Sequence, residues 1–145
     1  MAHFLIVAAD YYQDVTHELL LGAKTHLDVC DRTYEIIIVP GAFEIPGAIS
    51  LANHYLSNVY DGYVALGCVI RGETSHYDHV CNECARGIQD LAVNHQVPIG
   101  FGVLTVESKE QANYRASVNV GNKGKEAAEA SMKMVALKQR FEAAS

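Results

Sequence analysis

The stretch Tyr63–Asp78 reads YVALGCVIRGETSHYD and joins two different patterns. Its first half is an apolar run that stops at Arg71-Gly72, which is typical of a strand buried inside a parallel sheet. A helix is predicted to begin at about Ser75. A strand that ends in a glycine turn and opens into a helix presents free backbone N–H groups and the positive end of the helix dipole. This junction therefore predicts an α/β fold and, at the turn, a site for an anion.

The same alternation of strand and helix continues along the chain. The predicted strands are Phe4–Ala8, Tyr34–Val39, Gly62–Ile70 and Ile99–Thr105, and the predicted helices are Thr16–Leu27, Ile45–Leu56, Ser75–His95, Ser108–Ala116 and Lys123–Phe141. The strands are apolar on nearly every residue, so we expect helices to cover both faces of a doubly wound parallel sheet. Ligands of such sheets bind beyond the carboxyl ends of the strands, which makes the following segments the candidate sites.

Length and composition restrict the class of protein. The 145 residues suit one domain, residues 1–145, and 50% hydrophobic with 19% charged residues is ordinary for a globular chain. A net charge of -6 argues against nucleic acid as a general partner. No segment approaches the roughly 18 unbroken apolar residues of a membrane span. The first ten residues lack the basic leader of a signal peptide, so a cytoplasmic location is expected.

The turn after the third strand has the spacing of a nucleotide-binding P-loop. Gly67-x-x-x-x-Gly72-Glu73-Thr74 carries glutamate where that motif needs lysine, which excludes ATP and GTP. A nest of backbone N–H groups for one small phosphate remains. The alternative is a plain helix cap in which Ser75 and Asp78 form a capping box. The spacing leaves both interpretations open, and they are compatible.

The next helix carries Cys81-x-x-Cys84, which could be a redox pair or a metal site with His76 and His79 as further ligands. Helical phase places the two cysteines on the apolar stripe and His79 on the opposite, solvent side. We therefore predict reduced core thiols, as also for Cys30 and Cys68 in a chain without secretory context. His76 falls between the two faces, and its phase alone leaves open whether it is catalytic or a surface histidine.

The segment that follows the second strand, Pro40-Gly-Ala-Phe-Glu-Ile-Pro46, begins and ends with proline and is therefore expected to be stiff. It could simply end a strand and begin a helix. Its backbone amides beside Phe43 would also suit recognition of a flat polar ring. Late in the chain, Arg115 and the Gly121-Asn-Lys-Gly124 stretch offer cations, which gain importance only if the fold or a neighbouring subunit brings them to the cleft.

Four segments in order resemble the 6,7-dimethyl-8-ribityllumazine synthase family: residues 40–46, residues 65–78, Phe101-Gly-Val-Leu-Thr105 and Gly121-Asn-Lys-Gly124. The resemblance implies a flavodoxin-like three-layer sandwich that assembles as a homopentamer with active sites between subunits, in some members packed into a sixty-subunit shell. It also implies condensation of 5-amino-6-(D-ribitylamino)uracil with 3,4-dihydroxy-2-butanone 4-phosphate, without metal or organic cofactor.

The same resemblance assigns roles to single residues. It implies a pyrimidine and ribityl pocket, a phosphate site, a proton carrier and supporting charges. The pocket residues are Tyr11, Ala42, Phe43, Glu44, Cys68, Val69, Ile70 and Phe101; the phosphate residues are Glu73, Thr74 and Arg115; the proton carrier is His76; and the supporting residues are Lys123 and Glu126. Phe101 and Arg115 are expected to come from the neighbouring subunit. Tyr11 stands where the family usually has a stacking phenylalanine.

Departures from the family pattern shape two further expectations. The chain begins at its first core strand, without the segment that in many relatives adds a strand to the neighbour's sheet. We therefore expect a four-stranded sheet and favour a free pentamer slightly over the sixty-subunit form.

Two other functions are a lumazine or flavin carrier and a shell-forming structural protein. The presence of His76, Arg115 and the Gly72-Glu73-Thr74 turn favours catalysis, since a carrier of the product needs no phosphate site.

Overall fold

The computed structural model describes residues 1–145 and contains every predicted strand and helix. The elements are β1 His3–Ala9, α1 Gln13–Val29, β2 Thr33–Val39, α2 Ile45–Tyr55, β3 Gly62–Ile70, α3 His76–Asn94, β4 Ile99–Val106, α4 Lys109–Ala116 and α5 Lys123–Ala144, with a 3-10 turn at Ala42–Glu44 before α2. Helix α1 begins a turn earlier than predicted, at Gln13 rather than Thr16. None of the helices combines the length and apolarity needed to cross a lipid bilayer.

The four strands form one parallel sheet in the order β2-β1-β3-β4, which confirms the predicted four-stranded parallel sheet. In the register, Val7 of β1 stands opposite Ile37 of β2 on one side and Ala65 of β3 on the other. The chain thus leaves β1 for one edge and then crosses to the opposite side for β3. Such a reversal opens a crevice above the carboxyl ends of the two strands on either side of it, where doubly wound proteins bind ligands.

Alternate side chains of each strand enter two separate cores. Phe4, Ile6 and Ala8 of β1 pack in a cluster with residues of α1, α4 and α5. Leu5, Val7 and Ala9 pack on the opposite face with residues of α2 and α3. The sheet therefore lies between two helical layers, as expected for a flavodoxin-like α/β/α sandwich.

Helix α5 approaches α1 so closely that backbone meets backbone. Its buried face is made mainly of small residues: Gly124, Ala127, Ala128 and Ser131, with Val135. A Cβ atom at Gly124 would lie only 2.8 Å from the carbonyl carbon of Leu19 in α1 and closer still to its oxygen. Small residues on this face thus set the distance between the two helices.

Strand β2 departs from the expectation that helices cover both faces. Ile36, Ile37 and Ile38 are 37%, 38% and 51% exposed. The physical reason is the strand order, because β2 is an edge strand that pairs only with β1. Full coverage of apolar strands holds for β1 and most of β3, which occupy the centre of the sheet.

Candidate functional site

A cavity of about 690 Å³ opens above the carboxyl ends of β1, β2 and β3, at the crevice created by the strand order. Its volume falls within the roughly 300–1,000 Å³ of small-molecule sites. The lining residues are Tyr11, Tyr12, Gly41, Ala42, Phe43, Glu44, Cys68, Val69, Ile70, Gly72, Thr74, His76, Tyr77, His79 and Val80. Three segments that are distant in sequence therefore meet at one site.

The cavity brings together most of the residues predicted for a site. Those that line it are Tyr11, Ala42, Phe43, Glu44, Cys68, Val69, Ile70, Thr74 and His76. Glu73 is exposed on the same turn as Thr74 but does not line the cavity. The remaining predicted residues, Phe101, Arg115, Lys123 and Glu126, lie outside it.

The positions of those outlying residues follow from their elements. Phe101 lies on the edge strand β4 and is 45% exposed. Arg115 is exposed on α4, where its Nη1 donates to the backbone oxygen of Gln111 at 3.4 Å. Lys123 and Glu126 pair with each other at 3.1 Å in the first turn of α5. No lysine or arginine lines the cavity itself, although Lys109 Nζ lies 5.9 Å from the centroid of the lining Tyr12 ring.

The proline-bracketed segment forms one wall of the cavity. A 3-10 turn at Ala42–Glu44, in which the Glu44 N–H donates to the Gly41 oxygen at 3.1 Å, leads into α2, where Pro46 occupies the first turn. Proline fits there because it has no N–H to leave unpaired. The turn buries Ala42 and leaves the Phe43 ring 57% exposed. This wall thus offers a flat apolar surface beside backbone amides.

A second wall is aromatic and comes from the loop after β1. The Tyr11 ring is 75% exposed, and the Tyr12 ring meets it edge to face with centroids 5.0 Å apart. Burial and the neighbouring Tyr11 raise the pKa of Tyr12, so this phenol stays protonated at neutral pH. Two aromatic rings therefore border this side of the cavity.

The turn between β3 and α3 lacks the predicted capping box. Ser75 precedes α3, but its side chain makes no capping hydrogen bond. The carboxylate of Asp78 points to Arg71 instead, with 3.5 Å between Oδ1 and Nη1. The capping interpretation of the Ser75-x-x-Asp78 spacing is therefore wrong, because a tertiary ion pair takes the carboxylate.

The same turn leaves several backbone donors free. The N–H groups of Gly72, Glu73, Thr74, Ser75 and Tyr77 donate to no acceptor in the chain. The His76 N–H donates only to Thr74 Oγ1, at a long 3.3 Å. Free donors at the start of a 19-residue helix carry partial positive charge and suit an anion. The imidazole of His76 lines the cavity beside them.

The prediction of core cysteines holds for Cys68 and Cys84, whereas Cys30 and Cys81 are only partly buried. All four are free; Cys84 is 1% exposed, and Cys81 is partly buried on the same helix face. Burial raises the pKa of the Cys68 thiol to about 11 and that of Cys84 to about 12. Since the thiolate is the nucleophile, neither thiol is activated near neutral pH. No three His, Cys, Asp or Glu side chains are grouped to hold a metal ion.

Six lining residues were not among the predicted site residues: Tyr12, Gly41, Gly72, Tyr77, His79 and Val80. His79 is exposed, as its helical phase indicated, yet it also lines the cavity, because the first turn of α3 extends beyond the sheet. Tyr77 lines the cavity with its ring under a guanidinium group. The available signal was spacing, because His79 stands three residues after His76 and therefore beside it on a helix.

Comparison with known proteins places these features in one family. The model of the 6,7-dimethyl-8-ribityllumazine synthase family matches residues 1–139. A 6,7-dimethyl-8-ribityllumazine synthase of Bartonella henselae is 50% identical over 139 residues, which cover 96% of this chain and 90% of the relative. Synthase 1 of Rhizobium meliloti is 51% identical over 142 residues, 96% of this chain and 93% of the relative. The Agrobacterium fabrum synthase is 50% identical over 142 residues, 96% of each chain.

Proposed function

Because the chain belongs to the 6,7-dimethyl-8-ribityllumazine synthase family, we propose that it makes 6,7-dimethyl-8-ribityllumazine in riboflavin biosynthesis. The substrates are 5-amino-6-(D-ribitylamino)uracil and 3,4-dihydroxy-2-butanone 4-phosphate, and phosphate and water are released. The observation that carries the proposal is the turn of free N–H groups beside His76 in a cavity large enough for both substrates.

The pyrimidine is assigned to the aromatic end of the cavity. The exposed faces of Tyr11 and Phe43 suit stacking on a flat ring, and the backbone around Ala42 and Glu44 suits hydrogen bonds to its polar edge. Cys68, Val69 and Ile70 lie at the carboxyl end of β3 and border the same space. These contacts would place the two amino groups of the substrate toward the β3–α3 turn.

The butanone phosphate is assigned to that turn. The amides of Glu73 and its neighbours and the hydroxyl of Thr74 would bind the phosphate, and the helix dipole favours its charge. His76 would carry protons while the 5-amino group forms an imine with the ketone, phosphate leaves, and the ribitylamino nitrogen closes the second ring. Holding two reactive partners together supplies a large part of the acceleration.

The cavity lining contains no lysine or arginine, and the Phe101 ring is exposed. Both observations support an assembled enzyme. We propose a homopentamer in which Phe101 and Arg115 of one subunit complete the cavity of the next, with Lys123 and Glu126 as supporting charges. A free pentamer is preferred slightly over a sixty-subunit shell, and the location is cytoplasmic. Light scattering tests the assembly, since a mass near sixty chains contradicts the preference.

Turnover is tested by mixing both substrates with the protein and following lumazine fluorescence. We expect His76→Ala to lower kcat by about 10- to 100-fold, near the lower end of general acid–base effects, because proximity is retained. His95→Ala is the control, since His95 is exposed at the other end of α3. Equal kcat for His76→Ala and the parent contradicts the proton-carrier role. Absence of turnover above the uncatalysed rate contradicts the enzyme, and tight product binding without turnover indicates a carrier.

Shared sites are tested by mixing two variants of lowered activity. If His76 and Arg115 of different subunits meet, pentamers reassembled from equal amounts of the His76→Ala and Arg115→Met variants contain both residues in about a quarter of their sites. The mixture is then more active than either variant alone. Activity equal to the mean of the two variants contradicts a site built by two subunits.

A further inference from the structure

Arg71 connects three segments at the rim of the cavity. Its backbone N–H donates to the Val106 oxygen at 2.9 Å, its Nε donates to Glu107 Oε2 at 2.7 Å, and its Nη1 lies 3.5 Å from Asp78 Oδ1. Its guanidinium carbon stands 4.3 Å from the centroid of the Tyr77 ring. One side chain thus joins the end of β3, the first turn of α3 and the turn that follows β4.

The partner Glu107 is itself held in place. Its N–H donates to Gln111 Oε1 at 2.8 Å, and the Gln111 N–H donates to Ser108 Oγ at 3.2 Å. These bonds close the first turn of α4 and fix Glu107 at its start. Arg71 is therefore tied to a rigid helix end rather than to a loose loop.

The segment held by Arg71 has little structure of its own. Residues 72–75 are exposed, and Gly72 and Glu73 make no hydrogen bond; the turn is bonded to α3 only through the Ser75 oxygen, which accepts from the Asp78 and His79 N–H groups, and through the long contact between His76 N–H and Thr74 Oγ1. Arg71 is linked to the turn at both ends. It directly precedes Gly72 in the chain, and its guanidinium group contacts Tyr77 and Asp78 after the turn. The direction of the free N–H groups thus depends on these contacts.

We propose that Arg71 is a positioning residue that, through Glu107 and Tyr77, holds the β3–α3 turn and His76 in the geometry that accepts the phosphate-bearing substrate. The inference rests on the proposed function. It differs from a direct role, because the guanidinium already engages two carboxylates and a ring. Exposed ion pairs add little to stability, so the cost of losing Arg71 is expected in geometry and not in folding.

The test compares two exposed ion pairs. Arg71→Met and Glu107→Ala break the proposed link, whereas Arg86→Met and Glu83→Ala break a pair of 2.8 Å within α3 whose two residues do not line the cavity. For Arg71→Met we expect about a tenfold lower kcat and about a tenfold higher KM for the butanone phosphate, so that kcat/KM falls by the roughly hundredfold cost of a 1 Å misplacement. The KM for the pyrimidine and both control variants should stay within about twofold of the parent.

Two further variants separate positioning from direct phosphate binding. Arg71→Lys keeps the charge but loses the planar fork and the stacking on Tyr77, so a positioning role predicts a loss close to that of Arg71→Met. Glu107→Ala should weaken phosphate binding about threefold by freeing the side chain from its anchor. A parent-like Arg71→Lys, or tighter phosphate binding in Glu107→Ala, shows a direct ligand and overturns the proposal. The proposal is also overturned if Arg71→Met has the same kinetic constants as Arg86→Met.

Calorimetric titration with inorganic phosphate gives the same comparison without turnover. The dissociation constant should rise about tenfold in Arg71→Met and stay unchanged in Arg86→Met, with circular dichroism confirming equal folding. A parent that binds phosphate but makes no lumazine refutes the proposed function while the titration still decides the role of Arg71. Equal phosphate affinity in Arg71→Met and the parent refutes the positioning role alone.

Discussion

Replacement of Gly124 by alanine tests how closely α5 must approach α1. The added Cβ would lie 2.8 Å from the carbonyl carbon of Leu19 and 3.1 Å from its Cα, and these are backbone atoms that no rotamer change can move. Carbon atoms in contact stand about 3.5–4.0 Å apart. Helix α5 therefore has to move away from α1 by roughly 0.7 Å or more.

The magnitude follows from what that movement loosens. A gap of 0.5–1 Å forfeits about a quarter to a half of a contact's dispersion energy, and the buried face of α5 includes Ala127, Ala128 and Ser131. Overpacking of this kind costs about 1–3 kcal/mol, and alanine returns up to about 1 kcal/mol of helix propensity. We expect Gly124→Ala to lower the free energy of unfolding by about 2 kcal/mol, and Tm by about 4–8 °C for a chain of this size.

Gly47→Ala is the matched control, because Gly47 lies in α2 with no atom within 4 Å of its added Cβ. This variant should gain about 0.5 kcal/mol from the lower entropy of its unfolded chain. Urea unfolding followed by circular dichroism measures both, at one fixed protein concentration because the proposed association of subunits would contribute to stability. A Gly124→Ala protein as stable as the parent refutes the close helix contact, and equal effects of the two substitutions refute the steric reasoning.

Two other predictions concern ionisable groups. Iodoacetamide at pH 8 should label Cys30 in the native protein and leave Cys68 and Cys84 unmodified until urea is added, because burial raises the pKa of the latter two thiols. If mass spectrometry finds the label on Cys84 of the native protein, the prediction is wrong. The hydrogen bond to Glu35 raises the pKa of Tyr60 to about 12, above the unfolded value of 10.0, so its stabilising effect is complete below pH 10 and disappears as the pH rises to about 12. The urea midpoint of Tyr60→Phe should therefore fall less between pH 9 and pH 11 than that of the parent, and parallel declines contradict the prediction.

Local sequence patterns were sufficient to predict the strands and helices, but not the order of the strands in the sheet. Apolar runs such as Gly62–Ile70 and the helix periods between them found every strand and helix, because each period reflects a buried face. The start of α1 was missed because Tyr12 precedes it without a side-chain cap, so no capping signal exists. The exposure of Ile36–Ile38 depends on β2 lying at an edge, which no local pattern encodes.

The site shows the same division. Residues directly after strands, such as His76, were found because the carboxyl ends of parallel strands meet at one edge. The absence of a capping box at Ser75 could not be predicted from the sequence, because Asp78 pairs with Arg71 in a contact that depends on tertiary packing. The roles of Phe101 and Arg115 came from the family pattern alone, and both residues lie outside the cavity of one chain.

The free edge of β2 has a practical consequence for handling the protein. Three consecutive half-exposed isoleucines follow Glu35, and no lysine or proline interrupts the strand between Thr33 and Val39. Lysine, proline and bulges are the usual protection against unwanted strand addition, which this edge lacks. The exposed edge is thus a template for strand addition, and we expect mild denaturant to produce β-rich precipitate before it produces unfolded chains.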